Sequence, residues 1–211
     1  MRFLNDIRKP KKDLKIKYVI TYALIFLVIG IIIGIISKYL DSKTFTNPIL
    51  NKLDIGNFLS DYAIYLLIAL SISVLTKSPF RAGLYVLLFF IGMTFSYHIY
   101  TKEVMGFNPS SYMRIWYGLT FISPIFSFIS WYAKGNGYIP IIISSIIMYV
   151  MLSMCFSVGS IYFDFRGILY TLSFIGTILV LYKDVKSTTI SFIIGLLLAF
   201  VLRSPLEYFH L

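Results

Sequence analysis

Chemistry in this 211-residue sequence must rest on few ionisable side chains, because only 13% of its residues are charged. Six of them stand where long uncharged stretches begin or end: Asp61, His98, Arg114, Asp164, Arg166 and Arg203. An ionised group carried to the middle of a bilayer costs about 2.5–3.5 kcal/mol on insertion scales, so each is a functional candidate by default. Two carboxylates, three guanidiniums and an imidazole would supply donors and acceptors for a polar solute, and they are expected to line a vestibule on one side of a membrane. The competing reading is that they solvate at the headgroup boundary, with the long Arg stems snorkelling. Asp61 suits that reading least. Fifteen uncharged residues follow it and Phe58-Leu59 precede it, so it predicts a buried partner, Arg203 or Arg114.

Catalytic constellations do not appear. The histidines are His98 and His210, the single cysteine is Cys155, and no zinc-ligand spacing or intrachain disulfide follows from them. The sequence has no His-Glu-x-x-His pair, no Gly-x-Ser-x-Gly elbow and no phosphate-cradling Gly-x-x-x-x-Gly-Lys. The expectation is a protein without catalysis, cofactor or metal.

The elements that must position the six groups follow from composition. Hydrophobic residues make up 58% of the chain and the mean hydropathy is +0.83. A soluble core of this size cannot bury so much apolar surface, whereas a bilayer removes the problem by acting as the solvent. About 20 apolar residues at about 1.5 Å rise cross a hydrocarbon core of about 30 Å. Stretches of this kind fall near 18–40, 58–76, 82–101, 115–133, 138–160, 167–182 and 187–204. Peptide groups in lipid find no water, so each crossing is a helix or part of a closed barrel, and continuous apolar runs exclude the barrel. The expected fold is all-α: a polytopic transmembrane bundle of about seven helices. It forms one domain over 18–211, behind a basic tail at 1–17.

Local signals refine this picture. Asn47-Pro48 reads as an N-cap with proline at the first helical position, opening a short interfacial helix that ends near Gly56. Pro124 falls inside the fourth helix and is expected to kink it, with neighbouring groups re-satisfying the freed backbone. Ser123, Ser127 and Ser130 share one face of that helix, as expected of a packed helix contact. In the first helix, Gly30 and Gly34 form a small-xxx-small stripe that serves close packing within the chain or contact with a partner membrane subunit.

The net charge of +10 does not point to nucleic acid, since seven of the 19 Lys and Arg residues precede the first apolar stretch. That tail places the N-terminus in the cytoplasm, with twelve Lys and Arg inside and seven outside. The lipid bilayer is the partner throughout, and anionic headgroups are expected at the tail. On this topology the six candidate groups all fall on the outer side.

Gly56-Asn57-Phe58-Leu59-Ser60, followed by Lys77-Ser78-Pro79-Phe80-Arg81-Ala82, resembles a pattern in small bacterial multi-pass membrane proteins grouped as a domain of unknown function. The resemblance covers the first half of the chain and implies a bacterial plasma membrane and a similar helix count, without an activity. The helix number and small size also resemble the substrate-binding subunits of energy-coupling vitamin transporters. Those subunits dock partners through small residues of their first helix. Here the stripe is Gly-x-x-x-Gly where theirs is Ala-x-x-x-Ala, and one helix is extra. These readings together give two expectations: an outward-facing solute-binding or transport component, or a non-catalytic partner or scaffold subunit of an envelope complex.

Overall fold

The computed structural model describes residues 2–11, 15–158 and 162–202. In chain order these form α1 (Arg2–Ile7), α2 (Ile16–Lys43), α3 (Pro48–Lys52), α4 (Ile55–Ser60), α5 (Ala63–Leu75), α6 (Pro79–Val104), α7 (Ser110–Trp131) and α8 (Tyr138–Cys155). A short hairpin follows, β1 (Phe156–Val158) and β2 (Phe163–Phe165), and then α9 (Ile168–Leu181) and α10 (Val185–Leu202). Among the described residues the protein is all-α apart from the hairpin. Four helices, α2, α6, α8 and α10, are both long and apolar enough to cross a membrane, which makes the chain a candidate multi-pass membrane protein. The apolar helices α5 and α9 are shorter.

The helix ends show why the chain turns where it does. Pro79 occupies the first turn of α6 and Pro48 that of α3, where a missing N–H costs nothing. Asn47 Oδ1 accepts from the backbone N–H groups of Ile49 and Leu50, as the sequence anticipates. The interfacial segment nevertheless breaks in two. Asp54 adopts a left-handed conformation (φ 52°), ending α3 and starting α4. A second departure follows it. The helix expected over 58–76 is interrupted at Asp61 and Tyr62, so that α4 and α5 are separate. The last carbonyls of α4 find partners outside the helix, Leu59 accepting from Tyr65 Oη (2.7 Å) and Ser60 from Tyr112 Oη (2.9 Å). Those phenols hold the break open. Third, the helix expected to run to 160 ends at Cys155. There Phe156, Ser157 and Val158 pair antiparallel with Phe165, Asp164 and Phe163, and Phe156 stacks on Phe163 and packs edge-on against Phe174 of α9.

Two groups of helices share α5. On one side α2, α6 and α7 enclose Tyr85, Val86, Phe89, Met93, Met113 and Trp116, with Tyr65, Ala69 and Ile72 coming from α5. On the other, α8, α9 and α10 enclose Met151, Leu152, Cys155, Phe174 and Ala199, with Ala63 from α5. A buried polar seam ties α7 to its neighbours. Ser127 and Ser73 share a 2.7 Å hydrogen bond, and Thr120 and Thr94 share one of 3.0 Å. Pro124 cannot donate to the Thr120 carbonyl one turn back. Ser123 Oγ donates to that carbonyl instead (2.8 Å), so α7 carries its proline without an orphaned acceptor.

The N-terminal segment is docked on one end of the bundle. Arg8 donates to the carbonyls of Val74 and Trp131, in the final turns of α5 and α7, and its guanidinium lies 4.1 Å from the centroid of the Trp131 ring. Carbonyls at a helix C-terminus carry no helical partner and attract cations. Burial pulls the Arg8 pKa below its ordinary value. Asn136 N–H donates to the Ile7 carbonyl, and Lys11 N–H to that of Lys77. At the same end Trp131 Nε1 donates to Thr76, Lys134 to Tyr182, and Lys183 to Gly135 and Asn136. These bonds bring the ends of α5, α7 and α9 and the α7–α8 turn to one level.

A recess at the start of two short helices

Because α5 and α9 share a level at one end, their lengths decide where they stop at the other. The 13 residues of α5 and 14 of α9 span about 20 Å each, while the 22 of α7 and 26 of α6 reach about 33 and 39 Å. The two short helices pack against one another. Their N-termini therefore lie beside each other, roughly 10 Å or more below the ends of α6 and α7. Asp61 immediately precedes α5, and Arg166 immediately precedes Gly167 at the start of α9.

These two residues form an ion pair, with Arg166 Nη1 at 3.2 Å from Asp61 Oδ2. Tyr170, one turn after Arg166, donates from Oη to the same carboxylate oxygen (2.7 Å). Arg166 Nη1 also donates to the Met154 carbonyl at the end of α8 (2.8 Å), and its guanidinium sits 5.1 Å from the Tyr170 ring centroid. Phe58 packs edge-on against Tyr170 and closes the side of the recess towards α4. The site is thus assembled from the α4–α5 break, the end of α8 and the start of α9. A third of each charged side chain stays accessible, 33% for Asp61 and 34% for Arg166. The remaining oxygen of the carboxylate and the other face of the guanidinium offer one acceptor and several donors to the recess.

Among the described residues the partner of Asp61 is Arg166 rather than Arg114. Arg114 is exposed and donates to Ser111 within α7, while Arg203 lies outside the described residues. The choice of Arg166 has a physical cause, since the hairpin turns the chain back so that α9 starts directly beside the α4–α5 break. The other expected vestibule residues take separate partners. His98, on α6, uses its two ring nitrogens with Tyr117 Oη and Asn108 Oδ1. Asp164 is exposed on the hairpin and accepts from the Phe165 N–H. Of the five candidates among the described residues, the structure therefore brings together Asp61 and Arg166.

Two features of this region escaped the sequence reading. Tyr170 is not among the residues singled out from the sequence, although its spacing four residues after Arg166 places both on one helix face. Alongside the recess, Tyr62 stacks on Trp116 at 4.6 Å, with Tyr65 edge-on to the same indole at 5.4 Å. Lys38 is buried nearby at the end of α2, bonded to Asp41 at 2.6 Å and lying over the rings of Tyr97 and Phe107.

The glycine stripe of α2 is occupied from within. A Cβ placed on Gly30 would lie 2.1 Å from the Phe89 carbonyl oxygen, and one on Gly34 would lie 2.3 Å from that of Met93. From the facing helix, a Cβ on Gly92 would lie 2.3 Å from the Leu27 carbonyl oxygen. Here α2 and α6 touch backbone to backbone, and Gly30 and Gly34 face α6 rather than the outside of the bundle. Set against family models, curated proteins and solved structures, the chain matches none.

Proposed function

We propose that this chain crosses the plasma membrane of a bacterium seven times, with its N-terminus inside, and serves as an outward-facing solute-binding or transport component without catalytic activity. The observation that carries the reading is the accessible Asp61–Arg166 pair at the foot of two adjacent short helices. A pair that meets a solute must keep unused donors and an unused acceptor. The starts of α5 and α9 add their positive dipole ends to the same place, as broken helices do where membrane transporters hold polar groups. The solute this favours is small and polar, with a donor and an acceptor close enough to engage carboxylate and guanidinium together.

The test is to purify the full chain in mild detergent and identify retained small molecules by mass spectrometry. The expected result is a polar molecule that Asp61→Asn and Arg166→Gln each lose while the thermal unfolding of the protein stays close to that of the parent. Equal retention by both variants would overturn the assignment. A second reading, a partner or scaffold subunit, finds support in the hairpin, whose Tyr162 (57%), Phe163 (40%) and Phe165 (67%) present exposed aromatic surface. It requires a protein that co-purifies and leaves when Phe165→Ser is introduced.

A further inference from the structure

The docked N-terminal segment does more than cover the helix ends, because it draws basic side chains from two distant parts of the chain to one spot. Lys11 N–H donates to the Lys77 carbonyl (3.0 Å), and Arg81 donates from Nη2 to the Lys11 carbonyl (3.1 Å). Lys11 comes from the N-terminal segment, whereas Lys77 and Arg81 flank the turn between α5 and α6. All three carry positive charge, and the side chains of Lys11 and Lys77 are exposed. Among the described residues near this end the carboxylates are Asp6 and Asp184, and neither is paired with these three cations. Beside the cations stand apolar side chains with nothing over them: Phe80 at 68% exposure and Leu75 at 77%, on the same turn.

We infer that Lys11, Lys77 and Arg81 form a binding site for the headgroup of an anionic phospholipid, with Leu75 and Phe80 against its acyl chains. Cations above and bare apolar side chains below match a lipid at the edge of a bilayer, whereas a free anion would use the cations alone. The site exists only while the segment is docked, and Arg8 in the carbonyls of Val74 and Trp131, with the Asn136–Ile7 bond, helps hold Lys11 against Lys77. Anionic lipid therefore favours the docked state, and loss of docking weakens lipid binding by the same factor. This site rests on the bilayer reading of the chain but not on the Asp61–Arg166 recess, which lies at the opposite end.

Full-length protein in mild detergent is titrated with phosphatidylglycerol or phosphatidylcholine, and retained lipid is counted by native mass spectrometry. Phosphatidylglycerol is expected to bind tighter than phosphatidylcholine, and Lys11→Ala/Lys77→Ala/Arg81→Ala to weaken it by about a hundredfold, the combined effect of three surface cations. Lys43→Ala/Lys52→Ala/Lys102→Ala, which removes three cations from the other end, should change nothing. If the triple variant does not fold, Lys77→Gln replaces it, with an expected loss of about fivefold. Arg8→Ala should weaken phosphatidylglycerol binding although its side chain touches no lipid. Equal affinity for the two lipids overturns the site, as does retention by the folded charge variants at the parental level. Displacement of phosphatidylglycerol by an equal concentration of inorganic phosphate would identify a free-anion site and overturn the lipid assignment. A chain released from membranes by carbonate alone would instead remove the bilayer reading itself.

Discussion

Replacing Gly30 by alanine tests whether the glycine stripe of α2 serves the interior of this protein or a partner. The new Cβ would meet the Phe89 carbonyl oxygen at 2.1 Å and the Met93 nitrogen at 3.0 Å. Ordinary van der Waals contact begins near 3.4 Å, so α2 and α6 must separate by about 1.3 Å at this point. Neither obstacle can rotate away, because both belong to the backbone of α6. A gap of about 1 Å forfeits up to half of the dispersion energy of each contact it opens, and α2–α6 is the most extensive helix contact in the molecule. The expected loss lies at the upper end of the overpacking range, about 3 kcal/mol. Gly118 on α7 provides the control, since a Cβ there meets nothing within 4 Å. Gly118→Ala should leave stability unchanged or raise it by up to about 1 kcal/mol through helix propensity. The assay is the unfolding midpoint in a detergent–denaturant titration of each variant. If Gly30→Ala unfolds with the parent while releasing a co-purifying protein, the stripe faces a partner and the α2–α6 packing described above is wrong.

Three further outcomes follow from named contacts. Arg8→Ala strips the partners from the Val74 and Trp131 carbonyls, and should cost about 2 kcal/mol and abolish hydrogen-exchange protection over residues 2–11. Ser123→Ala orphans the Thr120 carbonyl and should cost about 1 kcal/mol, but less when Pro124→Ala restores an N–H to that carbonyl, which a double-mutant cycle on unfolding midpoints will show. At the start of α10, the Ser187 backbone N–H holds the exposed Asp184 carboxyl below its ordinary pKa. Its contribution is fully present above the unfolded value of about 3.9 and is lost as pH falls through the lower folded value. Exchange at the first amides of α10 should therefore rise only in that acidic window, and Asp184→Asn should remove the pH dependence.

Much of the helix layout was legible because hydrophobic length decides it. The runs at 82–101 and 167–182 lie on α6 and α9, the described part of the last run (187–202) lies on α10, and the Asn47-Pro48 cap appears as read. Three features that the sequence reading missed share a cause that no local pattern carries. The break at Asp61 depends on Tyr65 and Tyr112 reaching the carbonyls of α4, and Tyr112 is 52 residues away from the carbonyl it binds. The choice of Arg166 as partner depends on the hairpin that reverses the chain after Cys155. The basic N-terminal stretch reads in the sequence only as a cytoplasmic tail facing anionic headgroups, because charge density says nothing about the two helix ends that Arg8 plugs. The glycine stripe was recognised as a close-approach surface, and only the position of α6 shows what approaches it.

In the proposed topology α5 and α9 start together on the outer side of the membrane, and Lys77 lies on the inner side. Single cysteines at Arg166 and at Lys77, each in a Cys155→Ala background, measure this directly, since the native thiol is fully buried and its removal leaves one reporter per protein. A membrane-impermeant maleimide is expected to label Arg166→Cys on intact cells, and Lys77→Cys only after the membrane is opened. Labelling of Lys77→Cys alone on intact cells would invert the topology, and labelling of both without permeabilisation would contradict a barrier between the two ends.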